Sequence, residues 1–303
     1  MLRILVIKLG ALGDFIQALA PFAAIRAHWP EAEITLLTTA PFEALAQASP
    51  YFDHVSVDTR PRWTDLRGVT KLRSQLRGHD LVIDLQTSGR STRYFRLAGQ
   101  KRWSGIASGG TYRHDNPHRD AMHSVARQRD QLARLGVPEA ATLDLDWLGR
   151  TGPEIAAPYA VLVPGAAPHR PAKRWPARHY AALAAHLRSQ GLVIVVAGTG
   201  ADQPLAAEIV AQVTDALDLT GKTDLLALGG VFARAALAVG NDTGPMHLAG
   251  AMGCPSLTLF SAESNPRLTS PNGVRPGQMQ VLAVDDLRDL DVSRVAACLN
   301  WGH

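Results

Sequence analysis

Cysteine is scarce in this chain: Cys254 and Cys298 are the only two among 303 residues, and they form no spacing motif. That excludes a disulfide-built scaffold and makes a reducing cytosol the simplest compartment. No apolar run reaches the ~18 residues that a membrane-spanning helix needs. The apolar start, Met1 to Ile7, is broken by Lys8 and Asp14 before a signal-peptide core develops. A cytoplasmic protein is therefore expected, with peripheral contact at the inner face of the cytoplasmic membrane left open. What is present, 46% hydrophobic and 19% charged residues, is the composition of a globular protein. The length suits two domains of about 150 residues each.

Charge is unevenly spread. The net charge is +4, but residues 60–134 alone carry 16 Lys and Arg against 6 Asp and Glu. Such a concentration suggests an anionic partner for the N-terminal half, with a merely solvated Arg-rich surface as the plain alternative. Nucleic acid is not expected, because the stretch has few aromatics for base stacking and no recognisable binding motif.

Short apolar runs alternate with helical patterns along the chain. Strands are expected over Leu2–Leu9, Glu33–Leu37, His54–Val57, Leu81–Leu85 and Arg102–Ile106, with helices over Asp14–His28 and Pro41–Ala48. The composition turns to Gly, Pro and Thr between Gly149 and Pro158, which reads as a linker. Strands are expected again over Tyr159–Val163, Leu192–Ala197, Ala216–Leu219, Ala235–Val239 and Ser256–Phe260. The helices between them are placed at Ala177–Gln190, Gln203–Gln212, Leu225–Arg234 and Pro245–Met252. This alternation predicts α/β architecture: two doubly wound, Rossmann-like domains facing across a cleft, with ligands at the carboxyl ends of the strands.

Four loops carry candidate chemistry. Asn241-Asp242-Thr243-Gly244-Pro245-Met246-His247 leads a strand into a helix, with Thr243 or Gly244 at the N-cap and Pro245 where its missing N–H costs nothing. Free backbone N–H groups and the positive dipole end make a phosphate site there, and Asp242 and His247 add groups able to bind a ribose or a leaving phosphate. The loop Pro164 to Pro176 holds Arg170, Lys173 and Arg174 between four prolines, a stiff anion-binding arm, with Trp175 read as its core anchor. Ala197-Gly198-Thr199-Gly200-Ala201-Asp202 ends in a carboxylate placed to take ribose hydroxyls, or merely to cap a helix. The first loop, Lys8-Leu9-Gly10-Ala11-Leu12-Gly13-Asp14, lacks the third glycine of a dinucleotide fingerprint and the Gly-Lys-Ser/Thr of a P-loop. Asp14 at the start of its helix is stabilised as a carboxylate and able to accept a proton, or serves only as a cap. Asp144-Leu145-Asp146 has an Asp-x-Asp form but no neighbouring third ligand, and is read as structural.

Taken in this order, Lys8 to Asp14, Asp84-Leu85-Gln86, Pro164-Gly165, Lys173-Arg174-Trp175-Pro176, Gly198 and Asn241 to His247 resemble glycosyltransferase family 9, the ADP-heptose:lipopolysaccharide heptosyltransferases. The resemblance implies a GT-B architecture: residues 1–152 as an acceptor-binding domain and 153–303 as a donor-binding domain, the last helix being a candidate to pack back on the first. It also implies inverting, metal-independent transfer with no cofactor, from ADP-heptose to an anionic lipopolysaccharide core. Asp14 then falls on the family's base. Lys173, with Arg174, Asp242, Thr243, Gly244, His247 and Asp202, falls on the donor side; Lys8, Gly10 and Gly13 belong to the first loop. Arg60, Arg90 and Arg93 are the candidates for the acceptor. Ala166 and Ala167 stand where the family often has hydroxyl side chains, and Gly10 replaces a common Ser or Thr; both put donor preference in question. A nucleotide-sugar 2-epimerase of similar fold and a non-catalytic nucleotide-sugar-binding protein remain alternatives.

Overall fold

The computed structural model describes residues 1–139, 143–213 and 215–299. The chain divides into two compact units, Met1–Asp144 and Leu145–His303. The break falls ahead of the Gly- and Pro-rich stretch, because a short helix at Asp146–Gly149 belongs with the second unit.

In the first unit, β1 (Arg3–Ile7) is followed by α1 (Leu12–Ile16) and α2 (Leu19–His28). Next come β2 (Glu33–Thr38), α3 (Glu43–Ala48), β3 (His54–Val57) and α4 (Leu66–Gln75). Then β4 (Leu81–Asp84), α5 (Gly89–Ala98), β5 (Trp103–Gly105), β6 (Tyr112–Arg113) and α6 (Ser124–Ala133) complete it. Among the described residues the sheet has six parallel strands in the order β3-β2-β1-β4-β5-β6. Ile4, Leu5, Val6 and Ile7 are fully buried, as a strand covered on both faces requires.

The helix expected over Asp14–His28 is in fact two. Pro21 has no N–H to give to the carbonyl of Gln17, and its ring would crowd that carbonyl inside a continuous helix. The chain instead restarts at Leu19, which leaves Pro21 in the first turn of α2, where proline is tolerated.

The second unit runs α7 (Asp146–Gly149), β7 (Tyr159–Val163), α8 (Ala177–Ser189), β8 (Val193–Val196), α9 (Gln203–Val210) and β9 (Leu217–Asp218). It continues with α10 (Leu225–Arg234), β10 (Leu237–Asn241), α11 (Gly244–Ala251) and β11 (Ser256–Phe260). The last elements are α12 (Pro266–Thr269), β12 (Met279–Ala283) and α13 (Val292–Ala297), which packs on α8. The described strands are again parallel, ordered β12-β11-β10-β7-β8-β9. Counted within each unit, both sheets share the order third, second, first, fourth, fifth, sixth. The direction of winding reverses between β1 and β4 in one and between β7 and β10 in the other, which is where α/β sheets bind ligands.

Gly229 and Gly230 inside α10 are explained by packing. A Cβ on Gly229 would lie 2.5 Å from the carbonyl oxygen of Leu148, and one on Gly230 would lie 1.5 Å from that of Thr151. Segment 148–151 therefore rests directly on the helix backbone. Gly230→Ala is expected to lower stability by roughly 1–3 kcal/mol through overpacking, outweighing the ordinary gain of alanine over glycine in a helix. Urea unfolding of the variant checks this; unchanged stability would contradict the close packing.

Candidate functional site

In the first unit the loops after β1 and β4 leave the sheet side by side, since Ile7 pairs with Asp84 in register. Lys8 is buried, and its Nζ donates to the carbonyl of Leu85 at 3.1 Å. The backbone N–H of Leu9 donates to Gln86 Oε1 at 2.8 Å, which ties the two loops together. Desolvation lowers the Lys8 pKa, while the charges of Asp14 and Asp84 oppose that shift.

Asp14 is not the N-cap residue of its helix but caps it from the third position. The helix begins at Leu12 with Ala11 at the N-cap, and Asp14 is its third residue, half-buried, accepting from the Ala11 N–H at 3.3 Å. Gly13 lies within the same short helix. Gly10 has φ +108°, and a Cβ there would sit 2.5 Å from the Phe42 ring, which stacks on Phe15. The missing hydroxyl side chain at this position is thus the cost of fitting Phe42 under the loop.

The arginines expected at the acceptor are placed differently from one another. Arg60 Nη2 donates to the carbonyl of Leu9 at 2.9 Å and so braces the first loop. Its backbone N–H donates to Asp58 Oδ1, and Asp58 Oδ2 accepts from the Tyr94 hydroxyl at 2.6 Å. Burial, followed by that carboxylate, raises the Tyr94 pKa. The guanidinium groups of Arg90 and Arg93 lie 6.0 and 5.8 Å from the centre of the Trp63 ring, which is 40% exposed.

None of these three lines the polar cavity of about 120 Å³ beside Asp14. Its walls include Lys8, Asp14, Thr87, Arg119, Arg127 and Gln128. The sequence reading did not single out Arg119, Arg127 or Gln128, which belong to no motif and sit amid a generally basic stretch.

In the second unit Asn241, fully buried at the end of β10, organises the site. Its Nδ2 donates to the carbonyl of Pro164 at 2.8 Å. Its Oδ1 accepts from the Trp175 backbone N–H at 3.0 Å and the Tyr180 hydroxyl at 3.1 Å. Trp175 is core, as expected, and its indole N–H donates to the carbonyl of Leu290 at 2.9 Å. The loop 164–176 is thereby fastened at both ends, and Lys173 is brought onto Asp242 in a buried ion pair. Ser264 Oγ donates to the same Asp242 oxygen at 2.6 Å.

The three expected cations separate. Arg170 is turned away to Glu263, bonding both its carbonyl and its carboxylate. Arg174 Nη2 donates to the carbonyl of Ala166 at 2.9 Å. Lys173 pairs with Asp242 in the turn ahead of α11, where Thr243 is the N-cap without a side-chain cap bond, Gly244 opens the helix and His247 is buried in its first turns. An ammonium has three donors, so one bond to Asp242 leaves two for a ligand.

Asp202 behaves as a cap. Its Oδ2 accepts from the backbone N–H and the hydroxyl of Thr199, both at 2.8 Å. A Cβ on Gly165 would fall 2.5 Å from its Oδ1 and one on Gly198 2.9 Å from its Oδ2, so both glycines make room for this carboxylate. Asp144 ends the first unit and Asp146 opens α7. Among the described residues no group of three or more His, Cys, Asp or Glu side chains is arranged to hold a metal ion.

The family model for glycosyltransferase family 9 (heptosyltransferase) matches residues 69–293. The chain belongs to this family. It is 26% identical over 296 residues to lipopolysaccharide heptosyltransferase 1 of Pseudomonas aeruginosa, across 90% of this chain and 82% of that one. A shorter match, 38% identical over 106 residues, reaches lipooligosaccharide heptosyltransferase 2 of Haemophilus influenzae; it covers 33% of this chain and spans only 30% of that relative's length. Among solved structures, Escherichia coli heptosyltransferase WaaC with ADP is similar at TM-score 0.82 and 21% identity, with 98% of each chain covered. The family 9 glycosyltransferase of Veillonella parvula gives TM-score 0.81 at 21% identity, covering 98% of this chain and 95% of that one. Identity at that level speaks for the fold, which is of the GT-B type.

Asp84, under the first loop of this family 9 chain, is fully buried. Its Oδ1 accepts from the N–H groups of Gln86 and Thr87, both at 3.0 Å, while Oδ2 has no partner among the described residues. Desolvation pushes its pKa up to about 6 from an ordinary 3.8, against the pull of those hydrogen bonds and of Lys8. The folded state therefore keeps a proton that the unfolded chain releases, so stability falls as pH rises from about 4 through 6, by roughly 3 kcal/mol at this site. Asp84→Asn keeps the acceptor for Gln86 and Thr87 but cannot ionise. Its stability relative to wild type should rise between pH 4 and pH 8; an equal difference at both, by urea unfolding, would contradict the buried charge.

Proposed function

We propose that the chain is an inverting glycosyltransferase that transfers heptose from ADP-heptose to the lipopolysaccharide inner core without needing a metal ion. The observation that carries this reading is Lys173, held by Asp242 in the turn that leads into α11. A leaving diphosphate gains negative charge as its bond to the sugar breaks. A fixed ammonium and a helix N-terminus stabilise that charge with no reorganisation at the moment of reaction. Family membership supplies the reaction class, and the P. aeruginosa relative's name supplies the acceptor.

The donor's pyrophosphate is assigned to Lys173, Thr243 and Gly244, with Asp242 and Ser264 holding Lys173 in place. Arg174 and His247 line the same end of the sheet, and Asp202 supports the glycine turns from which a ribose would be met. Asp14 is the base. It takes the proton of an acceptor hydroxyl as that oxygen bonds to the anomeric carbon, and the electron pair of the old carbon–oxygen bond leaves with ADP. Attack from the face opposite the leaving group inverts the centre. Lys8 is held under the loop with Gly10 and Gly13, its ammonium close enough to feel the Asp14 charge. Arg90 and Arg93 beside Trp63 offer further contacts to an anionic acceptor, while Arg60 acts by bracing Leu9. The acceptor places the enzyme at the cytoplasmic face of the inner membrane; among the described residues no helix is long and apolar enough to cross a membrane.

Asp14→Asn is expected to lower kcat by about 10²- to 10⁴-fold while ADP binds with nearly wild-type affinity. Lys173→Ala should weaken ADP binding by roughly 10- to 100-fold, since it removes a charged hydrogen-bond donor and leaves the Asp242 carboxylate without its counter-charge beside the phosphates. Calorimetry and initial rates separate the two. Near-wild-type turnover in the first variant, or unchanged ADP affinity in the second, would refute the assigned role.

A further inference from the structure

Apart from Met1, the exposed large hydrophobic side chains among the described residues of the first unit are Trp63, at 40%, and Leu66, at 76%. They are close in sequence: Trp63 lies in the turn before α4 and Leu66 is the first residue of that helix. Leu72 buries one side of α4, while Leu66, Arg67 and Thr70 are left in solvent. Cations surround the pair. Residues 60–79 hold six Lys and Arg against one acid, Asp65. That carboxylate is committed to capping α4, its Oδ1 accepting from the Gly68 N–H at 3.0 Å. Arg62, Arg67 and Arg93 are exposed and have no ion pair among the described residues. The Trp63 ring is steadied by the guanidinium groups of Arg90 and Arg93 and, edge-on, by Tyr94, with ring centres 6.5 Å apart. The patch stands at the carboxyl end of the sheet, since Trp63 follows β3 while Arg90 and Arg93 belong to the first turns of α5 after β4. Asp14 stands at the same end, and Arg60 ties the two places together through its bond to the Leu9 carbonyl.

An indole and an aliphatic side chain ringed by guanidinium groups match the layered chemistry of an anionic bilayer. Tryptophan settles at headgroup depth, arginines take lipid phosphates, and an aliphatic side chain reaches the acyl boundary. A saccharide polyanion in water would use the arginines and the Trp63 face but would leave Leu66 exposed. We propose that Trp63, Leu66 and the arginines around them form a docking face for anionic phospholipid, which turns the Asp14 end of the first unit toward the bilayer that anchors the acceptor. The inference rests on the reading of the acceptor as a lipid-anchored saccharide and deepens it by naming the surface and its partner. Charge draws the face to the bilayer, and Leu66 with Trp63 fixes its depth there.

Vesicle sedimentation of the full chain, without donor or acceptor, reads the docking alone. Binding to vesicles of phosphatidylglycerol and phosphatidylethanolamine is expected to exceed binding to phosphatidylcholine vesicles by roughly 10-fold or more, and to fall steeply with salt. Leu66→Gln should weaken it roughly 3- to 10-fold. Arg62→Gln combined with Arg67→Gln should weaken it roughly 10- to 30-fold. Leu66→Trp should strengthen it. Arg77→Gln removes an equal charge just past the far end of α4, about 15 Å from Leu66, and should change nothing. Transfer to a soluble, deacylated core acceptor should match wild type in all of these variants, whereas transfer to acceptor held in anionic vesicles should follow vesicle binding. Equal binding to both kinds of vesicle, wild-type binding by Leu66→Gln and by the double variant, or an equal loss in Arg77→Gln overturns the docking face. A raised KM for the soluble acceptor with vesicle binding unchanged gives the face to the saccharide and overturns it as well. Transfer to the soluble acceptor without selective docking removes the docking face and leaves the transferase reading. Selective docking with no heptose transfer to either acceptor does the reverse.

Discussion

Strands buried on both faces leave a parallel sheet only its ends for chemistry. Every apolar side chain of β1 and β7 faces a covering layer, so polar and charged groups collect where the strands stop. Both units wind with the same strand order, and each reverses direction next to its first strand. The loops that follow the two strands flanking each reversal diverge and leave an opening between them. Lys8, Asp14 and Gln86 occupy that opening in the first unit, and Lys173, Asp242 and the start of α11 occupy it in the second. The rest of each unit serves to hold these few groups still.

They are held by polar side chains inside the protein. Asn241 uses both ends of its amide on the loop 164–176, and that loop delivers Lys173 to Asp242. A buried ion pair gains little net stability, because desolvation offsets much of the attraction. Here its value is placement: the ammonium arrives with its direction fixed and two donors free. In the first unit Asp84 has the corresponding task under a greater burden. It shapes the turn at Thr87 and carries a raised pKa as a consequence of burial. Both arrangements accept a loss of stability for the sake of position.

The strands and the donor loops were legible because their signals are local. His54–Val57, Tyr159–Val163, Leu225–Arg234 and Ser256–Phe260 appear with the boundaries that apolar runs and flanking turns predict. The Thr243–Pro245 helix start is likewise visible from residue chemistry alone. What could not be read was the cavity wall. In α6 the buried face mixes Ser124, Gln128 and Gln131 with Val125 and Leu132, so polar residues stand at several positions where an apolar run would mark a helix. β12 is a half-exposed edge strand with the same effect. The candidate acceptor arginines could not be told apart in the sequence for a related reason. Sequence shows that residues 60–134 are basic but not which guanidinium groups are occupied, and Arg60 and Arg119 differ only in what they touch.

The account centres on a sugar transferred between two substrates, as opposed to a sugar rearranged or merely bound. Proton NMR of ADP-heptose incubated with the full chain tests this directly, with and without lipopolysaccharide-core acceptor. The predicted result is no change in the donor without acceptor; with it, stoichiometric ADP release and a new glycoside of anomeric configuration opposite to the donor's. Conversion of the donor without acceptor, retention of configuration, or binding with no turnover would contradict it.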